Sequence, residues 1–269
     1  MTTTLARAGR ALVATLAALL ALGATAGSAE AAALDDAQMK ALLAEIDERQ
    51  RAVGDYKAHA FMQASEKGKE DIVYEAVIYR RDADDKFMVL FLAPKSEAGK
   101  GYLRIDDNLW LYSPTTGKWE RRTERERIAG TDSRRSDFDE SRLAEEYAPT
   151  YVGEGKLGAY ATHKLKLVAK PGKDVAWPVI ELEVDQKSGN VLKRQEYALS
   201  GKLMRTSYFP KWAQAKAPAG GKDVWYPVEM RFYDEVEKGN STAVKVDAID
   251  LSPLDRNMFT KAWLESKSR

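Results

Sequence analysis

The chain has 269 residues, with 42 lysines and arginines against 41 aspartates and glutamates, so its formal net charge at pH 7 is only +1. Proteins that bind a nucleic-acid backbone carry a marked basic excess, and this balance therefore argues against DNA or RNA as the partner. The sequence has no cysteine, which excludes disulfides, thiol catalysis, cysteine-bound metals and acylation of an N-terminal cysteine.

Residues 1–33 are predicted to be a cleaved secretory signal peptide. Two arginines give a positive start, residues 11–26 carry no charge, and small residues follow, which predicts cleavage after Ala29 or Ala33. A retained membrane anchor is the alternative, but it requires about 20 apolar residues, and the uncharged stretch is shorter and rich in alanine. Export without disulfides suits a bacterial periplasm, and no integral membrane segment is expected after cleavage.

The mature chain is predicted to begin with an amphipathic helix over Leu34–Val53. Its apolar residues, among them Met39, Leu43 and Ile46, recur every three or four positions, and charged residues cover the other side. An aspartate before the first apolar residue supplies the N-cap. We expect this helix to pack its apolar stripe against a sheet.

Beyond the helix, the hydrophobic period changes to two, which predicts β-strands. Glycine, proline and asparagine turns separate the segments, and no connection has the length of a βαβ unit, so the strands are expected to form one antiparallel sheet. From these segments, which include the short Lys118–Arg121 run, we expect a sheet of roughly ten or eleven strands. The other predicted segments are Tyr56–Ala64, Ile72–Arg80, Phe87–Leu92, Gly101–Ile105, Asn108–Ser113, Ala161–Val168, Val179–Asp185, Val191–Ala198, Lys202–Phe209, Trp225–Tyr233 and Ala243–Leu251.

A charge-rich stretch, Arg121–Arg135, interrupts the strand pattern. It is followed by a predicted helix over Asp137–Tyr147, with Ser136 as the N-cap, and a short helix is predicted near Asn257–Glu265. In the predicted strands, apolar and charged residues alternate, so one face of the sheet is apolar and the other is wet. Because a sheet this wide twists, it is expected to curl toward a barrel, which makes the fold class mainly β (α+β).

The segment Phe87–Arg122 resembles one family. Its FxxP motif and the following KGxxLRxDDxLWxYxPxxxKxxR pattern are similar to the periplasmic outer-membrane lipoprotein-sorting proteins, the LolA-like carriers. The SDFD sequence at 136–139, the hairpin near Gln195–Tyr197 and the NMFT sequence at 257–260 match in the same order, whereas Ala213–Lys222 departs from the pattern as an insertion.

This resemblance implies a single domain over residues 34–269, a half-open β-barrel whose central helix acts as a lid over a hydrophobic cavity. It implies a periplasmic carrier that binds the acyl chains of a lipoprotein or lipid and passes them toward the outer membrane, without catalysis. The alternative is a non-carrying accessory or scaffold subunit of an inner-membrane transporter. We expect a monomer without a cofactor or metal.

Apolar residues of the central strands are the candidates for lipid contact. They are Met88, Leu90, Leu92, Leu103, Trp110, Leu182, Val184, Met230 and Phe232. If Asp106-Asp107 forms a two-residue turn, Leu103 and Trp110 share a face. The predicted lid residues are Phe138, Leu143 and Tyr147. The candidates for docking to a partner are Arg121, Arg122, Arg125 and Arg127, with a solvated loop as the alternative reading.

Catalytic patterns are weak in this sequence. Gly153-x-Gly155-x-x-Gly158 has the spacing of a dinucleotide-binding loop, but β alternation follows it instead of a helix, so we interpret it as part of a hairpin. His59 and His163 lie in different strands and lack metal-ligand spacing. An exported hydrolase is therefore disfavoured, because no nucleophile and base are paired.

Overall fold

The computed structural model describes residues 33–52, 54–105, 108–123 and 126–268. The predicted signal peptide up to residue 32, with its cleavage position at Ala29, lies outside the described residues, as do the predicted turn at 106–107 and the docking candidate Arg125. Residues from Ala33 onward group into one compact unit.

The first element is helix α1, Asp36–Gln50. Asp35 caps it through a capping box, in which its side chain accepts from the Gln38 N–H and the Gln38 side chain accepts from the Asp35 N–H, both at 2.8 Å. The helix is shorter than predicted, because Arg51 is already extended. Its predicted stripe is confirmed, since Met39, Leu43 and Ile46 are buried.

One antiparallel sheet of 13 strands forms the rest of the fold. The strands are β1 Asp55–Ser65, β2 Ile72–Arg81, β3 Lys86–Ala93, β4 Gly101–Ile105, β5 Asn108–Ser113, β6 Lys118–Arg122, β7 Tyr147–Leu157, β8 Tyr160–Ala169, β9 Val179–Asp185, β10 Val191–Tyr197, β11 Leu203–Ala215, β12 Val224–Asp234 and β13 Ser241–Asp250. Their order in the sheet is β6-β5-β4-β3-β2-β1-β13-β12-β11-β10-β9-β8-β7, so β6 and β7 are the free edges and the curved sheet is not closed.

The predicted number of strands was too low, chiefly because strand β7 was missed. Its sequence contains Pro149, Gly153 and Gly155, which hide the alternation that marks a strand. Proline is accepted here because β7 is an edge strand, so one side of its backbone has no neighbouring strand to receive an N–H. The mainly β class and the single antiparallel sheet are confirmed.

The two faces of the sheet carry different clusters. The inner face, defined here as the face against which α1 packs, holds the large core, which includes Tyr56, Ile78, Val89 and Leu182. On the outer face a second cluster contains Val77, Tyr79, Met88, Leu90, Leu103, Met258 and Leu264. Helix α3, Lys261–Lys267, supplies Leu264 to that cluster and therefore covers the outer face.

The connection between β6 and β7 runs from one free edge of the sheet to the other. We call residues 126–146 the central segment. The predicted helix over Asp137–Tyr147 is wrong, since the structure has only the single turn α2, Leu143–Glu146, preceded by 3₁₀ turns at Ile128–Gly130 and Arg135–Asp137. Helix propensity is overridden because the polar side chains of this segment bind distant strands.

The C-terminal helix also differs from its prediction near Asn257–Glu265. It starts later, with Thr260 as the N-cap, whose hydroxyl accepts from the Trp263 N–H at 3.2 Å. Within the described ranges, no helix combines the length and the apolar character required to cross a membrane.

Candidate functional site

A cavity of about 90 Å³ lies between the inner face of the sheet and the central segment. Strands from both halves of the sheet contribute its apolar wall, and the central segment contributes Phe138 and Leu143. The apolar side chains that line it from the strands are Tyr56, Ile78, Leu182, Val191, Phe209, Trp212, Val224, Trp225, Tyr226, Pro227, Met230 and Val246. The cavity is thus a small space with an apolar wall on the strands, covered by the central segment.

Polar side chains also line this cavity, among them Arg80, Asp137 and Arg194. Arg194 lies on β10 directly opposite Leu182 of β9, and Glu196 lies opposite both Ile180 and Arg205. These charged residues therefore occupy inward-facing positions of the sheet. Strand register brings them together on the face where alternation would otherwise place apolar residues.

Asp137 forms a buried ion-pair network with these residues. Its two carboxylate oxygens accept from Nη1 and Nη2 of Arg205 at 2.6 and 2.8 Å, and Nη2 of Arg194 donates to it at 2.5 Å. Arg205 also donates to Glu196 at 2.7 and 2.8 Å. The side chains of Asp137 and Glu196 are fully buried, and that of Arg205 is 3% exposed. The network therefore joins the central segment to the sheet through ion pairs in the interior of the protein.

Burial and charge act in opposite directions on these groups. Burial alone raises the pKa of Asp137, but the Arg205 and Arg194 guanidinium groups outweigh it and lower that pKa to about 2. Burial alone lowers the pKa of Arg205, and the Asp137 and Glu196 carboxylates outweigh it, so the pKa is raised. Both partners are consequently charged at neutral pH.

Further polar contacts hold the central segment at other points. Near its start, the Ala129 N–H donates to the Tyr102 hydroxyl at 3.1 Å, and the Asp132 N–H donates to Oγ1 of Thr242 at 2.8 Å. Arg104 of β4 is 3.1 Å from Asp139. The segment is therefore tied to strands in both halves of the sheet.

Helix α1 holds the end of the central segment through Asp47. The Asp47 carboxylate accepts from the Leu143 and Ala144 N–H groups at 2.9 and 2.7 Å and from the Ser141 hydroxyl at 2.6 Å. It caps the first turn of α2 from another element, which provides acceptors for N–H groups that a four-residue helix cannot satisfy itself. Burial raises the pKa of Asp47 despite these hydrogen bonds.

The predicted lipid-contact residues fall on both faces of the sheet. Leu182 and Met230 line the cavity, and Val184 and Phe232 lie in the inner-face core beside them. The outer face instead carries Met88, Leu90 and Leu103, which pack under α3, Trp110, whose ring is 4.3 Å from Nζ of Lys261, and Leu92, which is 44% exposed.

The sequence pattern could not show which face of the sheet each β3 residue occupies, because Phe87–Leu92 is apolar at every position. Phe87, Val89 and Phe91 lie on the inner face, whereas Met88 and Leu90 lie on the outer one. The predicted pairing across the β4–β5 turn is confirmed, since Leu103 is directly opposite Trp110. Both therefore share a face, but it is the face that α3 covers.

The predicted lid residues lie in two different places in the structure. Phe138 and Leu143 line the cavity from the central segment. Tyr147 instead begins strand β7, where its buried hydroxyl donates to the Trp177 carbonyl at 2.9 Å. Its contact holds the β8–β9 loop in place and does not reach the cavity.

The docking arginines are engaged to different degrees. Arg121 is exposed on β6. Arg122 lies 2.5 Å from Glu120 and 3.3 Å from Glu126, and Arg127 forms ion pairs with Asp132 and Asp234. Arg127 therefore helps to hold the central segment in place. Whether these side chains bind a partner stays a prediction.

Patterns considered for other chemistry have structural roles. Gly153 and Gly155 lie in β7, and Gly158 has a φ of 59° in the β7–β8 turn, so the glycine-rich spacing belongs to a hairpin. His163 is hydrogen-bonded to the Tyr151 hydroxyl at 3.3 Å. Among the side chains that the structure describes, no group of three or more His, Asp and Glu could hold a metal ion.

Sequence reasoning missed the roles of Arg194, Glu196 and Arg205. The sequence signal for such a role is a charged residue at a core-facing position of a strand whose apolar and polar residues alternate. Burying a charge there is costly unless a partner compensates it. Asp137 and Glu196 lie within two segments that carry the family resemblance, but the pairing of Asp137 with Arg205 spans 68 residues. Patterns within a few neighbouring residues do not indicate contacts between residues so far apart in the sequence.

A family model described as "Uncharacterized protein" matches residues 83–266. The chain belongs to this family. No curated protein matches its sequence. The matched residues include eleven of the 13 strands, the central segment and most of the C-terminal helix.

Solved structures show that the family member described here has the LolA-like fold, as the sequence resemblance predicted. A LolA superfamily protein from Nitrosomonas europaea is 18% identical with a TM-score of 0.69, covering 83% of this chain and 98% of its own. A domain described as an outer membrane lipoprotein-sorting protein, from Vibrio parahaemolyticus, is 20% identical with a TM-score of 0.71 over 84% and 97%. A DUF1329 family protein from Desulfovibrio piger is 19% identical with a TM-score of 0.74 over 86% and 100%.

Proposed function

We propose that this protein is a periplasmic carrier, which shelters the acyl chains of a lipoprotein or another lipid between the inner face of the sheet and the central segment. It passes this cargo toward the outer membrane and catalyses no reaction. The observation that carries the proposal is an apolar inner face whose cover spans the two free edges of the sheet and is held largely by polar contacts. Such a cover can be displaced without breaking the sheet.

The size of the cavity supports a cover that moves. At about 90 Å³, it is smaller than the cavity of about 150 Å³ that accepts benzene in another protein. An acyl chain therefore requires the central segment to shift. Burying about ten methylenes gains on the order of 8 kcal/mol, whereas breaking one buried ion pair costs about 3 to 5 kcal/mol. The binding of one acyl chain therefore offsets the loss of one or two of the ion pairs that hold the central segment.

The family resemblance supports the same function. The Vibrio parahaemolyticus domain is described as an outer membrane lipoprotein-sorting protein, and the predicted signal peptide would deliver this chain to the compartment where lipids must cross water. A carrier function also explains why apolar residues line a cavity that the side chains do not fill completely.

Extraction of the purified protein tests the proposal. The mature chain, purified without detergent, is extracted with chloroform and methanol, and the extract is analysed by mass spectrometry. We expect an acyl lipid to co-purify with the wild type. Met230→Trp, which fills the cavity, should carry at least fivefold less, whereas Tyr233→Trp, at an exposed position of the same strand, should keep its lipid. Equal lipid in both variants would contradict binding in this cavity.

A non-carrying accessory subunit of an inner-membrane transporter is the second candidate. The small volume of the cavity favours it, because side chains already fill most of the inner face. For this function we expect wild-type protein without lipid and without affinity for added acyl chains.

A further inference from the structure

We infer that the ligand of this cavity is an anionic amphiphile, whose headgroup binds Arg194 and Arg205 at the place that the Asp137 carboxylate takes in the closed structure. The inference rests on the proposed carrier function and adds to it the chemical class of the cargo. Asp137 then acts as an internal substitute for the headgroup, and the headgroup displaces the Asp137 carboxylate from the two arginines when cargo binds.

The charges on the inner face carry this inference. To the cluster around Asp137, the sheet contributes two arginines, Arg194 and Arg205, and one carboxylate, Glu196, which lies 2.7 Å from both. The second carboxylate, Asp137, comes from the central segment, within 2.8 Å of both arginines. When the Asp137 carboxylate leaves, this cluster retains one uncompensated positive charge, whereas Arg80, the other strand arginine that lines the cavity, keeps its ion pair with Asp82. A ligand that enters must therefore bring one negative charge or leave a buried cation unpaired, which is costly.

The geometry of Arg205 suits an anion with at least two oxygens. Its Nη1 and Nη2 donate in parallel to the two oxygens of Asp137, and Nε and Nη2 bind Glu196 on the other side. A carboxylate and a phosphate both match this planar fork. The Phe232 ring, 4.7 Å from the Arg205 guanidinium carbon, holds the fork from below. The Asp132 carbonyl, which also accepts from Arg205 at 2.7 Å, leaves with the central segment.

The apolar wall begins next to the arginines. Leu182 is the direct cross-strand neighbour of Arg194, and the Phe209 ring lies 5.6 Å from its guanidinium carbon. Both residues line the cavity together with Met230. A charged head at Arg194 and Arg205 would therefore continue into an apolar tail along the inner face. A ligand with an uncharged headgroup could place the same tail there, but it would leave the positive charge at Arg194 and Arg205 uncompensated.

A pair of ligands that share one chain tests the inference. Binding of 1-palmitoyl-lysophosphatidate, 1-monopalmitoylglycerol and palmitate to the delipidated mature protein is measured by calorimetry below their critical micelle concentrations. The first two differ only in the phosphate. We expect lysophosphatidate, palmitate or both to bind at least tenfold more tightly than monopalmitoylglycerol, and the stronger of the two identifies phosphate or carboxylate as the headgroup. Equal affinities for all three would overturn the headgroup inference and leave the carrier intact. No binding of any of them would overturn both.

Variants separate the headgroup contact from general effects on the fold. Arg194→Gln should lower the affinity for the preferred anion at least tenfold relative to the affinity for monopalmitoylglycerol, and the binding of monopalmitoylglycerol that remains shows that the variant is folded. The matched control is Arg231→Gln, which removes an exposed arginine paired with Glu229 and should change neither affinity. An equal loss for charged and uncharged ligands in Arg194→Gln would show a structural role and overturn the inference.

Discussion

At the scale of single residues, Asp137 decides how the central segment is held. A carboxylate in an apolar cavity is normally unfavourable, but two guanidinium groups and the Arg134 N–H, which donates to it at 2.8 Å, stabilise the charged form. Its pKa in the folded protein lies at about 2, below the ordinary value of 3.8. The folded state therefore prefers the charged form more strongly than the unfolded chain does.

This preference predicts a dependence of stability on pH. The contribution of Asp137 is complete above the unfolded-state pKa of 3.8 and is lost as the pH falls toward about 2. Its size is roughly 2 kcal/mol, since one pKa unit corresponds to about 1.4 kcal/mol. We expect the urea-unfolding free energies of the wild type and Asp137→Asn to differ at pH 7 and to converge near pH 2.

The wild type has to be compared with Asp137→Asn because other charged groups around the network also affect how stability depends on pH. Arg205, Arg194, Arg134 and Glu196 face Asp137. Burial raises the pKa of Asp132 on the same segment, so its protonation in acid acts in the opposite direction. The difference between wild type and variant isolates Asp137, and Asp174→Asn, in an exposed loop, serves as the control. Parallel profiles for wild type and Asp137→Asn would contradict the assigned role.

At the scale of elements, close backbone approach fixes helix α3 on the outer face. A Cβ built on Gly101 of β4 would lie 2.7 Å from Cδ1 of Leu264 and 2.8 Å from the Val89 carbonyl oxygen. Leu264 is fully buried. The glycine therefore allows α3 to approach the sheet closely enough to cover Met88, Leu90 and Leu103.

This contact predicts that Gly101→Ala destabilises the protein. The Val89 carbonyl belongs to the neighbouring strand and cannot move freely, so we expect a loss of about 1 to 3 kcal/mol, as for overpacked cores. Urea unfolding at pH 7 measures it. The matched control is Gly54→Ala, because a Cβ there meets nothing within 4 Å, and its effect should stay within about 0.5 kcal/mol. A loss of similar size in both variants would contradict the packing explanation.

At the scale of the whole molecule, the order of the strands makes the central segment a cover. Consecutive strands β6 and β7 form opposite edges of the sheet, so their connection has to cross from one edge to the other. It does so over the inner face, where Ile128 and Phe138 are buried and polar contacts hold the backbone. Cargo binding in the proposed function therefore requires this connection to move.

A disulfide between the cover and the sheet tests that movement. Because the chain has no cysteine, the variant Asp132→Cys with Thr242→Cys contains a single possible pair, at positions whose backbone N and Oγ1 are 2.8 Å apart. We expect the oxidised variant to transfer bound lipid to acceptor vesicles at least tenfold more slowly than its reduced form. The single variant Thr242→Cys, which cannot form the disulfide, should transfer lipid at the same rate under oxidising and reducing conditions. Equal rates in both redox states would contradict a moving cover.

The local sequence determined most of the secondary structure of this protein. Alternation and turn residues identified strands such as β4, β5 and β9 with their observed bounds, and the apolar stripe of α1 predicted which of its residues are buried. These features depend on neighbours within a few residues, where period and turn chemistry act directly. Edge strand β7 escaped because its proline and glycines remove that period.

Only the tertiary structure decided what the two faces of the sheet do. Met88 and Val89 are equally apolar in sequence, and strand register and the position of α3 place them on opposite faces. The central segment follows the same principle, since Asp137 does not complete a helix but binds Arg205 across 68 residues. Such pairings form because the curved sheet brings distant strands together around one apolar space, where a charge is stable only beside its partner.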